Sequence, residues 1–334
     1  MRSPFSNAGI RIEPIGTASD SVEKPGKLWL ILALLFVILA RLGFFIWSGE
    51  SAAFITDFDL LYHSAVSLRH GVNPYQAVPE QILYPLFYPL PAVLLAVPFS
   101  LLPFVLARPV WDIAVGWFFA YALWKRGRYA LLALISGAYI FAMRGGQATP
   151  LLVAASLIPS LGFLLTIKPN MGLALWLSRP SRNAVIGGAV VLLVSLAVLP
   201  SWPFDWFTAL QDRNEHLQPP ALRPFGWLLL LAAFRWRTPE GRLLVALALI
   251  PQTSLPYELV ALALIPGNAV EMVIFAVWSW VAYAARVGVF WDMGVTSLIP
   301  LVAAIWPIQF VCVYLPMLYL VLRRSNAVRT ETMP

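Results

Sequence analysis

Charged residues are scarce in this chain of 334 residues, where Asp, Glu, Lys and Arg together make up only 12%. Soluble globular domains contain about 25% charged residues. Apolar residues make up 60% of the chain, enough for about ten membrane spans at about 20 residues each. The composition therefore argues against a soluble globular protein and predicts a polytopic membrane protein.

Cysteine and histidine are also rare. The one cysteine, Cys312, lies in an apolar run, and a single cysteine forms neither an internal disulfide nor a CxxC metal or redox motif. The three histidines, His63, His70 and His216, show no HExxH pattern and no paired spacing. We therefore do not expect a metal site built on cysteine or histidine.

Basic residues outnumber acidic ones, 23 to 16, for a net charge of +7. In membrane proteins such an excess gathers in cytoplasmic loops and tails. The sequence has no basic stripe with interleaved aromatic residues, the pattern that would indicate nucleic-acid binding. We predict a disordered cytoplasmic tail at 1–27, a single transmembrane domain at 28–322 and a cytoplasmic tail at 323–334. Two cytoplasmic termini require an even number of crossings.

The long apolar runs predict an all-α fold with about 8–11 membrane-spanning helices. The first is expected at about 28–48, starting inside and ending outside. The run 84–106 contains five prolines, each of which removes a backbone donor. If 84–106 and 109–124 both crossed the membrane, the basic cluster at 125–128 would lie outside. Basic clusters are typically cytoplasmic. We therefore expect 84–106 to be re-entrant or interfacial and 109–124 to be the second full span.

Two polar segments interrupt the apolar runs. Residues 49–108 are predicted to form an external loop with short interfacial or re-entrant helices, and 203–224 a second polar loop. In the first loop, apolar residues recur at helical spacing after Thr56 and Asp57, which are residue types that cap helix N-termini. We expect a short amphipathic helix there, with Gly71 after its C-terminus and an Asn73-Pro74-Tyr75 turn that ends the segment.

Several short motifs of the first half of the chain occur in a fixed order. They are Asp57-Phe58-x-x-x-Tyr62 followed by Ala65, Gly71-x-Asn73-Pro74-Tyr75, a Tyr- and Pro-rich stretch ending in Leu101-Leu102-Pro103, Gly146-Gln147, and Ile167-Lys168-Pro169. Together they resemble the GT-C glycosyltransferases, and more narrowly their alpha-(1→2)-mannosyltransferase-like branch. The resemblance covers about residues 28–180, with weaker similarity to about 266.

The resemblance implies a multi-pass enzyme of GT-C type. Members of this superfamily take a sugar from a polyprenyl-phosphate donor and invert its anomeric centre. We therefore expect transfer of a hexose such as mannose to a lipid or glycan acceptor, on the external face of a prokaryotic plasma membrane. The expected partners are this donor, the acceptor and membrane lipids, with no nucleic acid.

The resemblance also implies a general base in the first external loop. A carboxylate within hydrogen-bond reach of the acceptor hydroxyl can supply it. The family's spacing places this role on Asp57, and Asp59, two residues on, is the second candidate. Helix capping is the alternative role for Asp57. The two acids could share a divalent metal ion or act alone, so a metal cofactor stays open at this point.

The departing phosphate needs cationic partners. Lys168 matches the family motif, although a lysine at the end of a span can also simply extend to the interface. Arg69 and His70 are candidates too, but are more typical of charges at a helix end. The remaining candidates for substrate contact are Gln147, Tyr62, Tyr75, His216, Gln218 and Glu258. Instead of contacting substrate, these residues could form a polar turn, anchor the chain at the membrane interface or lie at a helix terminus.

The chain also departs from the family pattern. Asp57-Phe58-Asp59 carries a second acid, and the family's Tyr-Pro-Pro reads Tyr84-Pro85-Leu86 or Tyr88-Pro89-Leu90. The alternative function is a transporter or flippase of a lipid-linked substrate, which would depend on charges within spans. Few such charges occur, and Arg41, Asp112 and Glu271 are the nearest cases, so the pattern favours the enzyme.

Overall fold

The computed structural model describes residues 26–48, 56–77, 85–211, 217–293 and 298–324. Within these ranges the chain is helical and has no β-strand, which confirms the all-α prediction. The predicted tails at 1–27 and 323–334 lie almost wholly outside the described residues.

The α-helices are α1 (Lys27–Ser48), α2 (Asp57–Arg69), α3 (Leu90–Ala96), α4 (Phe104–Arg126), α5 (Gly137–Arg144), α6 (Thr149–Leu157), α7 (Pro169–Ser178), α8 (Arg182–Val198), α9 (Trp202–Gln211), α10 (Pro239–Leu249), α11 (Ala269–Met293), α12 (Leu298–Gln309) and α13 (Leu315–Arg323). Between them lie 3₁₀ helices at Phe99–Leu101, Arg128–Ile135, Pro159–Ile167, Pro220–Leu222, Gly226–Arg235 and Pro256–Leu264. A π-helical turn, Phe310–Tyr314, joins α12 to α13.

Three helices of the described chain are long and apolar enough to cross a membrane: Phe104–Arg126, Ala269–Gly288 and Leu301–Arg323. A fourth is added if α8 and α9, which meet at a bend of 96°, count as one span. Other apolar runs form helices of only 7 to 11 residues, namely α3, α6, α7 and α10. Each has a proline in its first turn, a position that proline favours. The number of 8–11 crossings stays a prediction.

The Pro-rich run 84–106 does not form a spanning helix in its described part. Its helix α3 has seven residues, about 10 Å of length. The start predicted for the second span was wrong, however, because α4 begins at Phe104 and keeps Pro109 inside the helix. The helix α4 therefore includes the last five residues of the segment 49–108, whose external location stays a prediction.

Part of the segment predicted to be a second polar loop, 203–224, is helical. Its first half is the helix α9 (Trp202–Gln211), which has Asp205 in the first turn and apolar residues around it. Residues 212–216, and His216 with them, lie outside the described residues.

The basic ends of several helices meet on one face. At the end of α4, Arg126 donates to the carbonyl of Pro266 at 3.0 Å, just before α11. Glu271 in the first turn of α11 accepts from Arg324 at 2.8 Å, at the end of α13. The far end of α4 carries Arg108, about 27 Å away along the helix. The two ends of α4 thus mark two opposite faces.

Candidate functional site

Asp59 is engaged in the cap of α2. Both of its carboxylate oxygens accept hydrogen bonds from Thr56, one from the backbone N–H at 2.8 Å and one from the hydroxyl at 2.7 Å. The Asp59 N–H donates back to the Thr56 hydroxyl, which completes a capping box. Arg108 of α4 lies 3.9 Å from the same carboxylate. The Asp59 side chain therefore has a structural role.

Asp57 begins the same helix, and its carboxylate does not take part in the cap. Its backbone N–H donates to the carbonyl of Gly145 at 3.1 Å, which ties the start of α2 to the end of α5. The next residue, Gly146, has a φ of 60°. A Cβ there would lie 2.9 Å from both Phe58 and Thr56, so the close approach of the two segments requires glycine.

Tyr88 covers the Asp57 carboxylate, to which its hydroxyl donates a hydrogen bond. Burial first, and then the charge of Asp57, raise the pKa of the Tyr88 phenol well above its usual value, so the donor stays protonated at neutral pH. The Tyr88 carbonyl accepts from the hydroxyl of Tyr75 at 3.0 Å. Tyr75 therefore positions Tyr88 and contacts Asp57 only through it.

Lys168 lies in the break between a 3₁₀ helix and α7. Its ammonium donates to the side-chain oxygen of Gln147 at 3.3 Å and lies 4.4 Å from the centre of the Tyr257 ring, within the range of a cation–π contact. Burial lowers the pKa of Lys168, and the negative charges of Glu258 and Asp57 oppose this change. The ammonium is thus held by neutral partners between two acidic groups.

Glu258 is a buried acid at the start of a 3₁₀ helix. Its carboxylate accepts from the backbone N–H groups of Ser254 at 2.7 Å and Thr253 at 3.3 Å. The hydroxyls of Thr253 and Tyr257 are hydrogen-bonded at 2.9 Å. These contacts fix the loop 251–256 next to the ring on which Lys168 lies.

The structure thus brings four of the predicted site residues into one polar cluster: Asp57, Gln147, Lys168 and Glu258. We call this group the polar cluster. Tyr88 and Tyr257 complete it and were missed as site residues. Tyr88 was noted only as part of a departure from the family motif. The sequence did indicate that 84–106 does not cross the membrane, and this feature could have pointed to Tyr88 as a site residue.

Other predicted site residues lie apart from the polar cluster. The Tyr62 hydroxyl donates to the carbonyl of Leu102 at 2.8 Å, and Arg69 donates to that of Ser100 at 2.6 Å. Both contacts fasten α2 to the segment before α4. His70 is the exposed C-cap of α2.

The second predicted loop contributes little to the polar cluster in its described part. Gln218 is exposed and pairs with Gln252 through the backbone, with two hydrogen bonds of 3.2 Å. His216 lies outside the described residues. The sequence alone did not show that Gln218 lies outside the polar cluster whereas Gln147 and Glu258 lie within it.

No group of three or more His, Cys, Asp or Glu residues in the described ranges could hold a metal ion. Asp57 and Asp59 are neighbours in sequence, but their carboxylates contact different partners. The two oxygens of Asp59 are already used by Thr56.

The motif resemblance can be set against known proteins. No protein-family model, curated protein or solved structure matches this chain.

Proposed function

We propose that this chain is a membrane glycosyltransferase of GT-C type, which moves a hexose from a polyprenyl-phosphate donor to a lipid or glycan acceptor. One observation carries the proposal. A carboxylate outside the helix cap, Asp57, and a half-buried ammonium, Lys168, lie in one polar cluster although they are 111 positions apart in the sequence. The transfer requires these two charges: a base for the acceptor and a cation for the phosphate.

Asp57 is the general base of the proposed reaction. The acceptor hydroxyl gives its proton to Asp57 while its oxygen attacks the anomeric carbon, and the bond from that carbon to the phosphate oxygen breaks. The phosphate leaves with the electron pair. The Tyr88 hydroxyl now donates to Asp57 as an acceptor hydroxyl would, so Tyr88 must give way when the acceptor binds.

Lys168 is the partner of the phosphate. The leaving group gains charge during transfer, and a cation in a buried, preorganised position stabilises that charge more than one in water does. Gln147 and Tyr257 hold the ammonium without neutralising it. Glu258 stabilises the positive charge of Lys168 and shapes the loop beside it.

The arrangement of charges along α4 supports a site on the external side. Arg108 near the start of α4 approaches Asp59 of α2, whereas Arg126 at the other end belongs to the basic face. Basic faces of membrane proteins are cytoplasmic. With this orientation the polar cluster lies toward the outer side, where the polyprenyl-phosphate donor is expected.

The transporter reading is less well supported. The charges Arg41 and Asp112 are buried between α1 and α4, and they form an ion pair with each other at 2.7 Å. Charges within spans either pair with one another or line a water-filled path, and these two are paired with each other.

The test is transfer of label by the purified protein from a polyprenyl-phosphate [¹⁴C]mannose to a lipid extract. The enzyme converts the label to a new product in detergent, where no transport can occur. A transporter moves the unchanged donor across vesicles and forms no product. Transport of intact donor without any product would contradict the proposal.

A further inference from the structure

The loop 251–256 beside Lys168 contains buried polar atoms without partners. Gln252 and Ser254 are each only 1% exposed. The side-chain oxygen of Gln252 and the hydroxyl of Ser254 have no hydrogen-bond partner. Buried polar atoms are normally paired, and an unpaired one calls for an explanation such as a ligand or water.

A third such atom lies at the start of α6. Thr149 is fully buried, and its hydroxyl has no partner. It follows Gln147 by two residues and begins α6, which packs against the 3₁₀ helix that carries Glu258. The loop itself is joined to α7 by a hydrogen bond of 3.3 Å from Asn170 to the carbonyl of Pro251. The unpaired atoms thus belong to the segments that surround Lys168.

The backbone of the loop is held in an unfavourable conformation. Ser254 has a φ of 54°, in the left-handed region that residues other than glycine rarely adopt. Its N–H and that of Thr253 are fixed by the Glu258 carboxylate. Strain of this kind persists where the surroundings impose it and is frequent at ligand sites.

The three atoms call for a particular ligand chemistry. The Gln252 oxygen only accepts hydrogen bonds, whereas the Ser254 and Thr149 hydroxyls both donate and accept. An ionised phosphate lacks donors and cannot satisfy the glutamine. A ring that carries several hydroxyl groups supplies donors and acceptors together.

We infer that Gln252, Ser254 and Thr149 bind the hydroxyl groups of the donor hexose and determine which sugar is accepted. This inference rests on the proposed function, in which Lys168 holds the phosphate of the same donor. It assigns the sugar to the loop 251–256 and the start of α6, next to the phosphate position.

The test compares two lipids that differ only in the sugar: polyprenyl phosphate and polyprenyl-phosphate mannose. Their affinities for the purified protein are measured for the wild type, Ser254→Gly and Thr149→Val. Glycine suits the positive φ, and valine keeps the shape of threonine, so both variants retain the local fold. Ser195→Ala is the control, since Ser195 is buried in α8 with its hydroxyl bonded to Val191.

Each hydroxyl variant should lose about tenfold in affinity for the mannose lipid and keep its affinity for the sugar-free lipid. The control should keep both affinities. Equal losses for the two lipids, or no loss for either, would overturn the inference while leaving the proposed function intact. A wild type that binds neither lipid would overturn both.

Discussion

Asp57 and Asp59 begin the same helix, yet their positions give them different partners. The third residue of a helix can reach back to the N-cap, and Asp59 does so with both oxygens. The first residue cannot reach back in this way, and the Asp57 carboxylate accepts a hydrogen bond from the Tyr88 hydroxyl instead. One acid is used to build the helix start, and the other is left outside the cap.

Lys168 should make phosphate binding sensitive to alkaline pH. Burial lowers its pKa from the usual value of 10.5, so the ammonium loses its proton, and the phosphate its partner, at a lower pH than for an ordinary lysine. We expect the affinity for polyprenyl phosphate to fall as the pH rises into the alkaline range. In Lys168→Arg the guanidinium stays charged, and the affinity should stay level. Parallel curves for the two proteins would argue against this role.

The motifs predicted the polar residues of the cluster better than its aromatic ones. Asp57, Gln147 and Lys168 occupy motif positions, and Glu258 is an acid within an apolar stretch. Tyr88 and Tyr257 were missed because tyrosines in apolar segments usually serve as interfacial anchors. The hydrogen bond from Tyr88 to Asp57 is visible only in the folded chain, where the Pro-rich segment packs against α2.

At the scale of the elements, the turn between α5 and α6 positions the start of α2. The Gly146 carbonyl accepts from the indole of Trp111 at 3.2 Å, and the Trp111 ring stacks on Phe58 at 5.0 Å. Three segments therefore meet behind Asp57. The sequence predicted that the two glycines before Gln147 allow a close backbone approach, and the fold shows that the segment they approach is the start of α2.

Gly146→Ala should displace Asp57 and reduce transfer. The new Cβ would stand 2.9 Å from Phe58 and Thr56, and the positive φ adds strain of about 1 kcal/mol or more. Gly145→Ala is the matched control, because the nearest atom to its Cβ is a flexible part of Gln147 at 3.4 Å. Thermal unfolding and label transfer, measured together, should separate the two variants. Equal behaviour of both would refute this account of the turn.

The helix α9 should lie in the plane of the membrane interface. It leaves α8 at 96° and exposes Phe204 and Phe207, which are 78% and 60% accessible. On its other side, Asp205 accepts from Asn73 at 2.9 Å. An amphipathic helix with this distribution buries its apolar face among the lipid headgroups.

Spin labels can measure this depth in liposomes. On a Cys312→Ser background, a nitroxide at Phe204→Cys should be accessible to oxygen and protected from a water-soluble nickel complex. A nitroxide at Gln76→Cys, an exposed loop position, should show the reverse. Strong collisions of the Phe204 label with the nickel complex would place α9 in water.

At the scale of the whole molecule, α4 separates two faces of opposite character. The polar cluster and α2 lie near its start, and the arginines at the ends of α4 and α13 gather near its end, around Pro266 and Glu271 at the start of α11. Composition alone predicted a helical membrane protein. It did not predict how the apolar runs divide, because prolines in the first turns produce short helices whose ends meet only in the folded chain.

The orientation can be tested by thiol labelling of intact cells. On the Cys312→Ser background, Gln76→Cys should react with a membrane-impermeant maleimide without permeabilisation, since we place that loop outside. Arg128→Cys, exposed beyond the end of α4, should react only after permeabilisation. The reverse pattern would contradict an external site.

The central claim is that Asp57 and Asp59 have different functions, one catalytic and one structural. The most direct measurement compares the rates of label transfer from polyprenyl-phosphate mannose for Asp57→Asn and Asp59→Asn, together with their thermal stability. We predict that Asp57→Asn loses at least about a hundredfold in rate and stays as stable as the wild type. Asp59→Asn should lose about 1 kcal/mol of stability and keep most of its rate when folded. Full transfer by a folded Asp57→Asn protein would contradict the account.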